Sequence, residues 1–204
     1  PSPKAIHSHI SNLKNKLIMP YEFSTMARTF FEQKVDMVYE NYQKSLQKNN
    51  SMDFDDLLIK PIELFKAYEE VLDNYSERFK YILVDEYQDT NKAQYLIVKM
   101  LSAKFGNVSV VGDDAQSIYK WRGAEIQNIF DFESDFPARK LFRLEQNYRS
   151  TKKILTLADD VIKKNSKQIA KQLWTENNDG ESVRLVETMT DRDEALRVSR
   201  YILE

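Results

Sequence analysis

The stretch YILVDEYQDT, residues 81–90, is a short apolar run that ends abruptly in two adjacent acids, Asp85 and Glu86. A continuous apolar run of this length predicts a strand buried in a parallel sheet. Because ligands of open α/β sheets bind beyond the carboxyl ends of the strands, the two carboxylates stand where a ligand site is expected. An acid there can hold Mg²⁺ while its neighbour orients or deprotonates a water molecule. A helix cap beside a solvated acid is the alternative explanation of the pair.

Further apolar runs follow at helix-sized intervals, VSVV at residues 108–111 and KLFRL at residues 140–144. SVRLVET, residues 182–188, is predicted to be another strand. Strands that alternate with helices predict βα units and a parallel sheet whose strands are fully buried.

The first 75 residues are predicted to be helical, because apolar side chains recur there at spacings of three and four. One amphipathic helix is predicted within residues 21–48. Asp53 is the predicted N-cap of the next helix, and Pro61 is expected to bend or restart it. The predicted fold class is therefore α/β, a partial parallel sheet with helices on both faces, preceded by an all-helical segment.

Charge and composition restrict the classes of function. The formal net charge of −2 would not draw in nucleic acid, so any such binding must come from a local groove. The chain has no cysteine, and its histidines, His7 and His9, lie near the N-terminus, which leaves disulfides and Cys/His zinc sites without ligands. No apolar stretch approaches the roughly 20 residues that span a bilayer, and the N-terminus lacks a signal-peptide core. A cytoplasmic location without membrane contact is expected.

The segment VVGDDAQSIYKWRGA, residues 110–124, leaves the second predicted strand through Gly112, where the backbone can approach a ligand closely. Gln116 lies on the loop, where an amide can position water beside a terminal phosphate. Trp121 offers a plane for stacking nucleobases, worth about 1–3 kcal/mol per base, with the cation of Arg122 alongside. An ordinary polar loop residue is the alternative for Gln116, and a half-buried core residue is the alternative for Trp121.

The segment LEQNYRS, residues 144–150, follows the third predicted strand. Arg149 lies between a strand end and a helix start, a suitable place to present a guanidinium group to phosphate oxygens. Tyr148 offers a ring on which a base can stack. A surface ion pair is the alternative for Arg149. Basic residues in the helical segment are interpreted as a solvated charged face rather than a duplex contact: Lys14, Lys16, Arg28 and Lys34.

Together, ILVDEYQDTN, VVGDDAQSIYKWRGA and LEQNYRS closely resemble motifs II, III and IV of superfamily-one DNA helicases of the UvrD/PcrA/Rep type, in the same order. MDFDDLL, residues 52–58, resembles the segment before motif II, and the resemblance covers essentially the whole chain. It implies RecA-like motor domains. Residues 1–52 would be part of a helical subdomain inserted in the first motor domain, residues 53–139 the second half of that domain, and residues 140–204 the start of the second motor domain.

The resemblance implies an enzyme that hydrolyses ATP with Mg²⁺. Asp85 would hold the Mg²⁺, and Glu86 would activate the attacking water. Gln116 would couple the γ-phosphate to the DNA site. Tyr148 would pack on the adenine, and Arg149 would be an arginine finger that reaches across the cleft between the motor domains.

On the DNA side, the resemblance implies that Trp121 stacks on single-stranded DNA, with Tyr119 and Arg122 nearby. Single-stranded and duplex DNA would then be partners, together with accessory repair or replication proteins. Relatives of this kind generally move 3′ to 5′, and this direction is inherited from the resemblance alone.

One motif of the family is missing. A phosphate-binding loop needs GxxxxGK[ST], and none of the four glycines is followed by Lys and then Ser or Thr. Motif I is therefore absent, and motifs V and VI would lie beyond Glu204. We expect an internal piece of a longer helicase that does not hydrolyse ATP by itself. Its incomplete sheet would leave an open edge that favours local disorder or self-association.

Two other functions stay open at this point. One is a non-enzymatic DNA-binding or partner-binding module derived from a helicase, although such a module would have no need of Asp85, Glu86, Gln116 and Arg149 together. The other is the helicase arm of a recombination helicase-nuclease. In that class we expect Phe in place of Tyr87 and Trp121, so these two residues favour the repair type.

Overall fold

The computed structural model describes residues 1–165, 169 and 171–203. The chain divides into two compact units, Pro1–Lys140 and Leu141–Glu204. Helices and a small parallel sheet occur together, which confirms the predicted α/β class. Among the helices of the described residues, none is both long and apolar enough to cross a bilayer.

The N-terminal part of the first unit consists of helices α1 (Pro3–Asn15), α2 (Pro20–Met26) and α3 (Phe30–Lys48). The prediction of one helix within residues 21–48 is wrong, because Thr29 and Glu32 start a new helix with a capping box. The Thr29 hydroxyl accepts a hydrogen bond from the Glu32 N–H, and the Glu32 carboxylate accepts one from the Thr29 N–H. Apolar side chains from all three helices form a buried core: Ile10, Leu13, Phe23, Val35 and Tyr39.

Helices α4 (Asp56–Ala67) and α5 (Glu69–Arg78) follow. The Asp53 carboxylate accepts a hydrogen bond of 2.8 Å from the Asp56 N–H. The predicted N-cap is nevertheless two residues early, because Phe54 and Asp55 form a turn and Asp55 is the N-cap of α4. Pro61 lies inside α4, which continues past it without restarting. The helix ends at Ala67, and the extended backbone of Tyr68 separates α4 from α5.

Strands β1 (Ile82–Val84) and β2 (Val108–Val110) pair in parallel, and helix α6 (Lys92–Ser102) lies between them in sequence. This confirms strands within the first two apolar runs. The expectation of fully buried strands is wrong for Leu83, which is 80% exposed, because in this chain only the face of Ile82 and Val84 is partly covered. After β2 come 3₁₀ turns at Asp114–Gln116 and Lys120–Arg122 and then helix α7 (Gln127–Asp135).

The second unit contains helices α8 (Lys152–Ile162) and α9 (Asp191–Leu203). The strands predicted for residues 140–144 and 182–188 are wrong, since neither run has strand structure. A strand requires a neighbour for its backbone groups, and among the described residues of this unit the ladder contact is a single parallel bridge between Gln146 and Trp174.

Candidate functional site

The two acids lie at the carboxyl end of β1, where the ladder to β2 continues for one more step. The Val111 N–H donates to the Val84 carbonyl at 2.8 Å, and the Tyr87 N–H donates to the Val111 carbonyl at 2.9 Å. Asp85 and Glu86 lie between these two hydrogen bonds and are exposed. The backbone contacts therefore fix both acids at the edge of the sheet.

Glu86 has a left-handed backbone conformation, with φ of 50° and ψ of 43°. For a residue with a Cβ atom this conformation costs about 1–2 kcal/mol. Strain of this kind persists where the surroundings over-determine it, and it clusters at functional sites. Here the Glu86 N–H also donates to Asp85 Oδ1 at 2.9 Å, which ties the two acids together.

Gln88 holds the carboxylate of Glu86. Its Nε2 donates to Glu86 Oε2 at 2.7 Å, and only 1% of Gln88 is exposed. At the other end of the same amide, Oε1 accepts a hydrogen bond of 3.0 Å from the Asp113 N–H. One buried side chain thus connects the turn after β1 to the loop after β2.

Gly112 is needed for this contact. A Cβ atom at Gly112 would lie 2.7 Å from Gln88 Oε1 and 3.3 Å from the Gln88 backbone nitrogen. Gly112 therefore allows the Gln88 amide to approach the backbone of the loop closely.

Gln116 belongs to the same set of contacts. Its Nε2 donates to Asp113 Oδ2 at 2.8 Å, while Asp113 Oδ1 accepts a hydrogen bond of 2.9 Å from the Ala115 N–H. The structure therefore joins Glu86, Gln88, Asp113 and Gln116 in one chain of hydrogen bonds. The motif reasoning did not single out Gln88 and Asp113, the two residues that make the connection.

A cleft of about 400 Å³ opens beside the acids. Its lining combines the carboxylates of Asp85, Glu86 and Asp89 with apolar side chains that include Ile97 and Val98. Within the described part of the chain, the buried Oδ1 atom of Asp89 has no hydrogen-bond partner. A buried carboxylate oxygen of this kind is satisfied by a hydrogen-bond donor or a cation.

The donor set fits Mg²⁺ that arrives with a nucleotide. Among the described residues there is no group of three or more His, Cys, Asp or Glu side chains that could hold a metal ion. Mg²⁺ is usually held by one or two carboxylates together with substrate phosphates and water. Asp85 can supply such a carboxylate from the edge of the cleft.

Trp121 lies in the 3₁₀ turn Lys120–Arg122 and is 70% exposed, so the alternative of a half-buried core residue is wrong. Tyr119 is 39% exposed, and the centroids of the two rings are 6.4 Å apart at an interplanar angle of 49°. Arg122 belongs to the same turn by its backbone, and its side chain lies outside the described part of the structure.

The segment that carries Trp121 is anchored to the turn after β1. The Glu125 N–H donates to the Thr90 carbonyl at 3.0 Å. Asn128, which is 3% exposed, donates from Nδ2 to the same carbonyl at 2.9 Å. The exposed aromatic pair and the acids are therefore attached to one short stretch of backbone.

Tyr148 and Arg149 belong to the second unit and are both exposed. The backbone around them is fixed by Asn147, whose Oδ1 accepts from the Arg149 N–H at 2.9 Å and whose N–H donates to the Trp174 carbonyl at 2.7 Å. In the described part of the chain, Arg149 forms no ion pair. The surface ion pair considered for Arg149 is therefore not observed.

Lys14 has a role that the sequence did not reveal. It is completely buried, and its Nζ lies 2.6 Å from Asp53 Oδ2 and 2.9 Å from Asp56 Oδ1. The interpretation of Lys14 as part of a solvated face is therefore wrong, because a buried cation requires such partners. The concentration of three acids in MDFDDLL was the available signal for a buried cation.

Burial and hydrogen bonding in the cluster of Lys14, Asp53 and Asp56 shift the pKa values of Asp53 and Tyr42. Burial opposes ionisation of Asp53, but hydrogen bonds from Lys14, the Asp56 backbone and Tyr42 outweigh it and lower the pKa of Asp53. Burial and the hydrogen bond to Asp53 raise the pKa of Tyr42 to about 12.

Comparisons with known proteins agree with the motifs. Residues 2–137 match the UvrD/REP helicase N-terminal domain, and residues 142–204 match the UvrD-like helicase C-terminal domain. Similar proteins include the ATP-dependent DNA helicases PcrA of Staphylococcus aureus and Staphylococcus epidermidis, each 52% identical over 202 residues. The match covers 99% of this chain and 28% of each relative, so the chain spans little more than a quarter of their length. The chain belongs to the UvrD/Rep family of helicases.

Proposed function

We propose that this chain is part of the motor of an ATP-dependent DNA helicase. In the whole protein, ATP hydrolysis would drive 3′ to 5′ movement along single-stranded DNA and unwinding of duplex DNA, in cytoplasmic repair or replication with accessory proteins. The observation that carries the proposal is the shared scaffold. The hydrogen bonds from Glu86 to Gln116 and the anchoring of the Trp121 segment on Thr90 join the residues proposed to contact the nucleotide to those proposed to contact DNA.

The domain assignment proposed with this function follows the sequence motifs. Residues 1–52 would belong to the helical subdomain inserted in the first motor domain, residues 53–139 to the second half of that domain, and residues 140–204 to the start of the second motor domain. The 204-residue chain contains no GxxxxGK[ST] loop, so we expect that it does not hydrolyse ATP without the rest of the protein.

Bound MgATP supplies the phosphoanhydride bond whose cleavage releases the energy for movement. Asp85 would hold the Mg²⁺, and Asp89, whose buried Oδ1 has no hydrogen-bond partner within the described residues, lines the same cleft. The Glu86 carboxylate would orient the attacking water and accept its proton. Gln88 supports this role because its amide donates to Glu86 Oε2 and leaves Oε1 available to the cleft. Orientation of the base before reaction is a large part of such catalysis.

The proposed link to DNA runs through the loop after β2. Gln116 would contact the γ-phosphate, and its hydrogen bond to Asp113 would pass any displacement to the loop. Trp121 and Tyr119, both exposed, would stack on bases of single-stranded DNA, with Arg122 near the backbone. Bases are read by stacking in a sequence-tolerant way, which suits a protein that moves along DNA.

In the second motor domain, Tyr148 would pack on the adenine, and Arg149 would act as an arginine finger for the phosphates. These two roles rest on the motif resemblance. The exposure of both side chains and the fixed backbone at Asn147 support them. A guanidinium without an ion pair in the described part of the chain is available for a phosphate.

The test is ATP hydrolysis by the full-length protein, with and without single-stranded DNA, beside its Glu86→Gln variant. We expect DNA to stimulate turnover in the parent, and the variant to lose turnover while it still binds ATP in a filter assay. Glu69→Gln, which removes an exposed carboxylate from α5, is the matched control and should behave like the parent.

Two results would contradict the proposal. If the parent shows no turnover, the chain belongs to a binding module rather than a motor. If Glu86→Gln hydrolyses ATP as fast as the parent, Glu86 does not activate the water.

A further inference from the structure

Asn15, the last residue of α1, contacts two segments distant from it in sequence. Its Nδ2 donates to Asp55 Oδ1 at 3.0 Å and to the Ser11 carbonyl at 2.8 Å. Its Oδ1 accepts a hydrogen bond of 2.6 Å from Nδ2 of Asn91. One amide therefore joins the end of α1 to the starts of α4 and α6.

The chemistry of the partners fixes which way both amides point. A carboxylate and a carbonyl can only accept, so the nitrogen of Asn15 must face Asp55 and Ser11, and its oxygen faces Asn91. Asn91 uses its own oxygen to cap α6, accepting from the Gln94 N–H at 2.9 Å. The nitrogen of Asn91 is then the atom available to Asn15, and with 7% of Asn91 exposed the contact is largely shielded from water.

Asn15 also lies close to the turn that carries Trp121. Gly123 ends this turn with φ of +85°, and a Cβ atom placed there would lie 3.2 Å from Asn15 Cβ. Asn91 directly follows Thr90, whose carbonyl receives the Glu125 N–H. The Trp121 turn therefore passes close to Asn15 at Gly123 and is hydrogen-bonded to Thr90 through Glu125.

We propose that Asn15 is a positioning residue that sets the Trp121 turn relative to the segment following Glu86. The helical segment that precedes motif II would then take part in coupling DNA contact to ATP hydrolysis. This inference rests on the proposed function, because it assigns a second support to the DNA-contacting turn of that motor.

The experiment compares full-length variants by the ATP turnover without DNA and by the concentration of single-stranded DNA that gives half-maximal stimulation. Asn15→Asp removes the donor to Asp55 and places two carboxylates together. We expect the half-stimulating DNA concentration to rise about tenfold, a typical coupling effect, while turnover without DNA stays unchanged. Asn15→Ala, which adds no charge, should also raise the half-stimulating DNA concentration. This variant replaces Asn15→Asp in the experiment if Asn15→Asp does not fold.

A paired substitution tests the hydrogen bond itself. Combining Asn15→Asp with Asp55→Asn exchanges donor and acceptor, so an amide at position 55 can donate to a carboxylate at position 15, which still accepts from Asn91. We expect the pair to recover most of the DNA response. Asn12→Asp, an exposed change of the same chemistry on α1, is the control and should leave the response as in the parent.

The Trp121→Ala variant distinguishes failure of the proposed motor function from failure of the proposed role of Asn15. If the parent is not stimulated by DNA, the proposed function fails. If the parent responds and Trp121→Ala does not, but the Asn15 variants respond like the parent, only the role of Asn15 is overturned. An equal loss of DNA-free and DNA-stimulated turnover in the Asn15 variants, or a paired variant that does not recover, would also overturn it.

Discussion

Gln88 is the side chain on which the geometry of the acids depends. It is the buried partner of Glu86, and it uses both ends of its amide, donating to a carboxylate and accepting from a backbone N–H. Neither an acid nor an apolar residue can do both. The Glu86 carboxylate is therefore held by a contact that an acid or an apolar residue at position 88 could not make together with the contact to Asp113.

We predict that Gln88→Leu lowers kcat of the full-length protein by about 100-fold, because a catalytic group displaced by about 1 Å loses this much rate. KM for ATP should stay close to the parent value, since Gln88 does not line the cleft. Steady-state ATP hydrolysis with saturating single-stranded DNA measures both constants. Gln33→Leu, on the exposed face of α3, is the control. A change confined to KM would show that Gln88 does not orient Glu86.

The sequence singled out Asp85, Glu86, Gln116 and Trp121 as candidates because each lies in a motif whose residue types and spacing are informative. Gln88 lies in the same motif but was not singled out as a candidate, because its role depends on a contact with Asp113, which is 25 positions away. A hydrogen bond between two loops has no periodicity and no composition signal. Such a contact can be found only after the strands bring the loops together.

At the scale of elements, the apolar runs at β1 and β2 were sufficient to predict both strands. The same kind of run at residues 140–144 and 182–188 did not form strands, because a strand is a property of a pair and a run carries no information about its neighbour. The helix boundary at Thr29 was missed for the opposite reason. Its signal, a Thr followed three residues later by Glu, was present and outweighed by the apolar spacing.

Gly112 lies between β2 and the following 3₁₀ turn, where the loop passes close to Gln88. Gly112→Ala should lower kcat of the full-length protein, because the new Cβ would meet Gln88 Oε1 at 2.7 Å and displace the amide from Glu86. Gly106→Ala is the matched control. Gly106 has φ of +65° with no atom within 4 Å of the added Cβ, so Ala there costs about 1–2 kcal/mol of stability and leaves kcat unchanged.

Steady-state kcat and urea unfolding, measured side by side, separate these two effects. Steric displacement predicts a loss of rate for Gly112→Ala alone. If both alanine variants lose rate in proportion to their loss of stability, the close approach at Gly112 has no specific part in orienting Glu86.

At the scale of the whole molecule, the cluster of Lys14, Asp53 and Asp56 attaches the N-terminal helices to α4 across about 40 residues of sequence. Its members lie on separate elements, so the cluster closes a long loop that local interactions cannot close. Tyr42 adds a hydrogen bond of 2.9 Å to Asp53 Oδ2 from α3. The apolar core of the helical segment lies within α1–α3, and the charged cluster joins this segment to α4.

This cluster predicts how stability depends on pH. The folded-state pKa of Asp53 lies below its unfolded value of about 3.9, so protons bind the unfolded state more readily and acid favours unfolding. The contribution of Asp53 is fully present above about pH 5 and is lost as the pH falls through the folded-state pKa. Urea unfolding of the chain, followed by circular dichroism at several pH values from about 5 downward, measures this loss.

In Asp53→Asn the free energy of unfolding should be lower at neutral pH and should fall less steeply as the pH is lowered. Glu70→Gln, which removes an exposed carboxylate, should keep the parental slope of the free energy against pH. An Asp53→Asn variant with the parental acid slope would show that Lys14 does not stabilise the ionised form of Asp53.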